Sequence, residues 1–307
     1  MRILITGVSG FVGSALARRL ARGGHELHGL SRDPAKVDPA LELERVHAGD
    51  ALSGVGLGPA LEGVDVAYYL IHSMEATTAQ TGFAARDRRA AELFGAAARA
   101  AGVARIVYLG GLIPPGAEHS PHLDSRLEVE RTLLGAVPGS VALRASIVIG
   151  ARSRSFRFLV HLVERMPVLA LPSWRGNRTQ PIDERDVVEY LVAAADAAGV
   201  GGCTLDVAGR DTLSYGEMIS RIAELMLVDR PSVGLGFQLT SAASVVAARI
   251  AGEQVELVGP LMESLDGDLL ADDRDARRLL GVRLHSFDAS VEHALREWET
   301  REPLRAR

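Results

Sequence analysis

Thr6-Gly7-Val8-Ser9-Gly10-Phe11-Val12-Gly13-Ser14 follows the apolar run Ile3-Leu4-Ile5 and leads straight into an amphipathic stretch, Val12–Arg22. Glycines stand at 7, 10 and 13. The first allows a tight turn, the second lets backbone N–H groups reach a pyrophosphate, and the third lets a helix pack closely on a strand. The helix that follows offers unpaired N–H groups and the positive end of its dipole to an anion. A glycine triplet alone is weak evidence, and a merely flexible turn is the bland alternative. Placed between a strand and a helix, the triplet predicts a dinucleotide-binding turn.

Outward from that turn, short apolar runs alternate with longer amphipathic stretches. The runs are Ile3–Thr6, Glu26–Leu30, Glu44–His47, Val64–Ile71, Arg105–Leu109 and Val141–Val148. Helical periodicity occupies Val12–Arg22, Gly82–Ala101 and Pro121–Leu134, with a shorter piece at Pro59–Glu62. Such alternation, with strands apolar on both sides, predicts an α/β fold: a Rossmann-type doubly wound parallel sheet. Asp183-Glu184-Arg185-Asp186 opens a further helix, its acids placed where the macrodipole favours them. Beyond Leu205 the pattern becomes irregular; Ser214–Leu227 reads as a helix, and the tail from Asp266 to Trp298 as strand and helix fragments. The expected organisation is a Rossmann core over 1–150 and 178–210, with a smaller substrate lobe from 151–177 and 211–307.

The cofactor's adenosine end is expected beyond the second and third strands. Ser31-Arg32-Asp33 ends the second. There an arginine binds a ribose 2′-phosphate and an acid binds a 2′-hydroxyl. Arg32 favours NADP(H) over NAD(H), while a register shift of one residue would put Asp33 at the ribose instead. Arg32 as a solvated surface charge is the bland reading. Asp50-Ala51 ends the third strand, where Asp50 can accept from the adenine amine, cap a turn, or do both.

These residues together resemble the extended and atypical short-chain dehydrogenase/reductase superfamily over nearly the whole chain. Ala67–Met74 and Ser120–Glu128 are similar to an NAD(P)-binding, epimerase-like branch that includes NmrA-like proteins and the dehydrogenase-like accessory subunit of respiratory complex I. Leu143–Gly150 and Gln180–Val187 fit the broader extended pattern. The resemblance assigns cofactor contacts to Gly7, Ser9, Gly10, Phe11, Val12, Gly13, Ser31, Arg32, Asp50 and Ala51. It adds Leu70, Ile71, His72, Arg126, Ala145 and Ser146. It also implies a catalytic Tyr-x-x-x-Lys, and here His122 and Arg126 occupy those two positions. Gly110-Gly111 stands where a catalytic serine or threonine is expected. Four residues apart, His122 and Arg126 share one helix face. A neutral histidine near pH 7 serves as general acid or base, and an arginine is a permanent cation. His122 as a structural group at a helix start is the alternative.

Composition excludes several other classes. A formal charge of −5 argues against a nucleic-acid-coating surface. The single cysteine, Cys203, allows no disulfide framework or thiolate metal site within one chain, which fits a reducing cytoplasm. No spacing of His, Asp and Glu suggests a metal. The uncharged stretch from Pro231 to Ala248 is too diluted by polar residues to predict a membrane span. In the lobe, Phe156–Met166, Pro167, Pro172 and Trp174, together with Leu235–Leu265, are expected to build an apolar pocket, unless the same residues form a lobe core or a homodimer face.

Three functions fit these readings. The first is an NADP(H)-dependent oxidoreductase acting on a small or medium apolar substrate without the usual Ser-Tyr-Lys set. The second is a non-catalytic redox sensor that binds NADP(H), and the third a redox-neutral epimerase or dehydratase.

Overall fold

Ile3 and Ile5 of the first strand are buried on one face and Leu4 on the other. Tyr68 and Tyr69, and then Val107 and Tyr108, divide in the same way between the two apolar layers. A strand apolar on both faces has to lie in the middle of three layers. In the computed structural model, which describes residues 1–71, 82–113, 121–234 and 267–302 and only the backbone of Pro121 and His122, it does so.

The strands are β1 Arg2–Thr6, β2 Glu26–Ser31, β3 Arg45–Ala48, β4 Val66–Tyr69, β5 Arg105–Gly111 and β6 Val141–Ala145. Four short ones follow, β7 Val148–Ile149, β8 Leu169–Leu171, β9 Arg178–Thr179 and β10 Ile182–Asp183. After them come β11 Cys203–Val207, β12 Leu213–Ser214 and β13 Ser232–Gly234. The helices are α1 Phe11–Ala21, α2 Leu57–Leu61, α3 Phe83–Ala100, α4 Pro121–Ala136, α5 Arg154–Arg165, α6 Glu184–Ala194, α7 Tyr215–Leu225, α8 Arg274–Leu280 and α9 Phe287–Glu299.

Seven parallel strands form one sheet in the order β11-β6-β5-β4-β1-β2-β3. This is the doubly wound parallel sheet expected from the alternation. The strand order reverses between β1 and β4, and the crevice at the carboxyl ends of such a reversal is where open α/β sheets bind ligands. Helices α1 and α6 pack together on one face, tied by the Arg19 guanidinium, which donates to both oxygens of Glu189 at 2.6 and 3.0 Å. Helices α3 and α4 pack together on the other. Tyr68 is fully buried and its hydroxyl donates to Leu191 O at 3.0 Å, while Tyr69 packs edge-on to Phe94. Both are packing residues.

The run Val141–Val148 is not one strand. β6 stops at Ala145, the Ser146 amide turns to Val207 O at 3.3 Å, and Val148–Ile149 pairs with β10 instead. Apolarity alone could not reveal the change of partner. A separate apolar cluster gathers α5, α7 and α9 around Phe156, Val160, Val163, Trp174, Tyr215 and Trp298. In the tail, Arg178 donates to Asp268 from its backbone and guanidinium, and Leu269 bridges Thr179.

Helix α4, which carries Arg126, is pinned to the sheet by a buried ion pair. Arg144 of β6 donates from Nε and Nη2 to the Glu130 carboxylate at 2.8 and 2.7 Å, and the Thr204 hydroxyl of β11 adds a third bond at 2.8 Å. Glu130 is only 6% exposed. Removing one member of such a pair leaves the other desolvated without compensation, a cost of about 3–5 kcal/mol. Glu130→Ala should therefore lower unfolding stability by about 3 kcal/mol in urea titrations. A shift under about 0.5 kcal/mol would show that the pair does not hold α4.

Candidate functional site

Gly7 sits at φ +64°, a left-handed conformation that side chains resist. An ideal Cβ there would stand 2.8 Å from the carbonyl oxygen of Leu70. The turn closes through Gly10 N donating to Gly7 O at 2.9 Å. At Gly13 a Cβ would lie 2.9 Å from the carbonyl carbon of Gly7 and nearer still to its oxygen, so α1 reaches the turn only because that position is bare. Gly10 caps α1 in extended conformation with no side-chain hydrogen bond, and the first helical turn carries no acid. Ser9 and Gly10 are exposed, Phe11 and Val12 half-buried. The outcome is a lip of backbone at a helix start, bare of side chains at Gly7, Gly10 and Gly13, a cradle that fits a dinucleotide pyrophosphate. Thr6 holds it to β4, its hydroxyl donating to Tyr68 O at 2.9 Å and accepting from Leu70 N at 3.0 Å.

Beyond β2, the Ser31 hydroxyl donates to Asp33 O at 2.9 Å and accepts from Asp33 N at 3.2 Å. The Asp33 carboxylate accepts from Ala35 N at 3.2 Å and lies 3.6 Å from Lys36 Nζ. Asp33 is thus engaged as the cap of the short turn Pro34–Lys36. Arg32 is exposed and pairs with no described residue. Asp50 accepts from Leu52 N at 3.2 Å, which is its turn-capping role, and Ala51 beside it is buried.

At the other end of the crevice, β5 finishes on Gly110-Gly111. A Cβ on Gly111 would stand 3.4 Å from Arg126 Nη1, so the guanidinium runs along the strand end where a hydroxyl-bearing residue was expected. The Tyr108 hydroxyl donates to Arg126 O at 3.4 Å. Burial pushes that phenol far above its ordinary range, which makes it a poor proton source. Ala145 and Ser146 are buried at the end of β6, and the Ser146 hydroxyl pairs with that of Thr179 at 3.3 Å. Leu70 and Ile71 are half-buried past β4. His72, His119 and Ser120 lie outside the described residues. The backbone of His122 stands in the first turn of α4, one turn before Arg126.

Two side chains at the glycine turn escaped the sequence reading. Arg152 donates from Nη1 to the Ser14 hydroxyl at 2.7 Å and from Nη2 to Ser9 O at 3.4 Å. Glu184 reaches under the same turn. An ideal Cβ on Gly150 would stand 2.5 Å from Glu184 Oε2 and 2.6 Å from Phe11 Cζ, so carboxyl, ring and glycine meet at one point. Burial, with Glu297 and Asp183 adding to it and Arg152 and Arg301 opposing, pushes Glu184 up to about 7. The acids opening α6 therefore do more than face a helix dipole. Asp183 caps the helix by accepting from Arg185 N at 2.8 Å, and buried Asp186 accepts from His285 N at 2.8 Å.

A family model described as the NAD dependent epimerase/dehydratase family matches residues 3–132. Ceramide reductase of Caulobacter vibrioides (strain NA1000 / CB15N) is 30% identical over 254 residues, which cover 80% of this chain and 77% of that protein. The chain belongs to the NAD dependent epimerase/dehydratase family, within the short-chain dehydrogenase/reductase superfamily. Another family relative, 3-beta-hydroxysteroid dehydrogenase of Mycolicibacterium neoaurum, is 35% identical over 68 residues, 22% of this chain and 18% of its own. The fold matches UDP-glucuronic acid 4-epimerase from Bacillus cereus, in complex with UDP-glucuronic acid and NAD, at a TM-score of 0.74. That match covers 98% of this chain and 99% of the other at 18% identity.

Of the two readings of the apolar residues after β7, lobe core or pocket lining, the described part follows the first. Phe156, Val160, Val163 and Trp174 are buried against α7 and α9 as lobe core, and 235–266 lies outside the described residues. A groove beside α7 is lined by Arg175, Glu217, Arg221 and Glu224 among others, and shares no residue with the glycine turn. Among the described residues no cluster of His, Cys, Asp and Glu could hold a metal, and no helix is long and apolar enough to cross a membrane.

Glu184 makes a pH signature. Its folded value lies above the ordinary 4.5, so its contribution to stability is full below about 4.5 and is lost as pH rises through about 7. Between pH 5 and 8 the wild-type urea midpoint should fall more steeply than that of Glu184→Gln. Parallel curves would place the carboxyl in water.

Proposed function

We propose that the chain is an NADP(H)-dependent oxidoreductase acting on an apolar, lipid-like substrate. The observation carrying the cofactor choice is at the end of β2. Asp33, the one acid there, spends its carboxylate on capping a turn, whereas exposed Arg32 keeps its guanidinium for a 2′-phosphate. For the substrate class, support comes from the family relatives named for a ceramide and for a 3-beta-hydroxysteroid.

Gly7, Ser9, Gly10, Phe11, Val12 and Gly13 would hold the pyrophosphate, Ser31 and Arg32 the phosphorylated ribose, and Asp50 and Ala51 the adenine. Leu70, Ile71, His72, Ala145 and Ser146 would line the remainder. A bound nicotinamide would supply hydride-transfer chemistry. The chain supplies the proton and the fixed charge. Arg126, held beside Gly111 on a helix pinned through Glu130, is a permanent cation for a ribose hydroxyl or an oxygen gaining charge. His122, one turn earlier on α4, takes the place of tyrosine as general acid or base.

Hydrogen bonds to a charged group contribute about 1.5–3 kcal/mol, so Arg32→Ala should weaken NADPH binding at least tenfold and barely change NADH binding. Equal losses in parallel titrations would remove the 2′-phosphate contact. On chemistry, the wild type should oxidise NADPH in the presence of ketones carried on long alkyl chains or a steroid skeleton. His122→Phe should lower that turnover about 10²–10⁴-fold while NADPH affinity holds. Wild-type turnover in the variant would remove the proton relay. Cofactor-dependent binding with no oxidation across the panel would favour a sensor.

A further inference from the structure

We propose that Arg152 is a pyrophosphate-binding residue, a cation brought over the glycine turn from the segment that joins β7 to α5. The proposal rests on the reading of the turn as a dinucleotide cradle. Backbone N–H groups of such a turn meet the phosphates, and here a fixed guanidinium stands beside them.

The placement is built from the sequence upward. Gly150 O accepts from Ser153 N at 3.0 Å, closing a four-residue turn with Arg152 at its third position. Ser153 then caps α5, its hydroxyl accepting from Phe156 N. Ala151 and Ser153 on either side of Arg152 are 2% and 5% exposed, so the backbone that presents the guanidinium is locked. Gly150 is wedged between the Phe11 ring and the Glu184 carboxyl, which registers the turn against the first residue of α1. The side chain alone leaves this packing.

Its guanidinium then spans the cradle. Nη1 bonds Ser14 inside the first turns of α1, and Nη2 reaches Ser9 O on the exposed lip. A guanidinium has five donors, and these bonds use two. Among the described residues the others have no partner, and Arg152 is only half-buried. The charged neighbours do not cancel it. Asp38 is ion-paired with Arg18 at 3.0 Å, and Glu184, with its raised value, is only partly ionised near neutral pH. Arginine presents parallel donors that match phosphate oxygens two at a time. A phosphate seated on the Ser9-Gly10 lip would therefore meet backbone N–H groups from below and a spare pair of donors from the side.

The test uses three ligands by calorimetric titration against the full chain: NADPH, ADP-ribose, which carries the pyrophosphate without nicotinamide, and adenosine 2′-monophosphate, which lacks it. Arg152→Gln should weaken NADPH and ADP-ribose by about ten- to a hundredfold, the usual worth of hydrogen bonds to a charged group, and leave adenosine 2′-monophosphate unchanged. Arg152→Lys, which keeps a charge over the turn, should recover part of the loss. ADP-ribose affinity should fall more steeply with salt in the wild type than in Arg152→Gln. Undiminished ADP-ribose and NADPH binding by folded Arg152→Gln overturns the role of Arg152 and leaves the cradle intact. A wild type that binds none of the three ligands overturns the cradle reading itself, and with it this proposal.

Discussion

Everything at this site depends on how closely α1 approaches the turn that precedes it. The contact of Gly13 with the Gly7 carbonyl leaves no room for a methyl group, and Gly7 itself stands in a backbone region costly for other residues. With both positions bare, the helix start comes within reach of the loop and its unpaired N–H groups collect at one lip. The neighbouring strand completes the frame through Thr6, whose hydroxyl ties β1 to the end of β4 at the reversal of strand order.

Around that frame, charges are brought in by elements far apart in the chain. Arg32 follows directly on β2, and Arg126 is brought to the end of β5 by a helix secured by Glu130 and Arg144. From the lobe side comes Arg152, steadied by a glycine squeezed between Phe11 and Glu184. The Glu184 carboxyl is the cost of this arrangement, because it sits partly desolvated near other acids.

The parallel sheet and the glycine turn were legible in the sequence because both are local. Strand periodicity, glycine spacing and the abrupt change to helical pattern at Val12 lie within one short stretch. Boundaries moved by a residue or two where strands end on polar groups, as at Arg45–Ala48. The division of Val141–Val148 was hidden, because the partner of Val148 is Ile182, far along the chain. Arg152 and Glu184 were hidden for the same reason. Each reads as an ordinary surface or first-turn charge until the lobe and α6 are folded against α1. Phe156 and Trp174 fitted a pocket lining and a core equally well in the sequence, and packing uses them for the core.

Amide hydrogen exchange resolved along the first βα unit tests the central claim most directly. The first-turn amides of α1 have no intrahelical acceptor and should exchange quickly in the free protein. Saturating NADPH should slow exchange most at 7–14, with further slowing at 31–33 and 49–51. Protection by NADPH that leaves 7–14 unchanged, with the slowed amides elsewhere, would contradict the account.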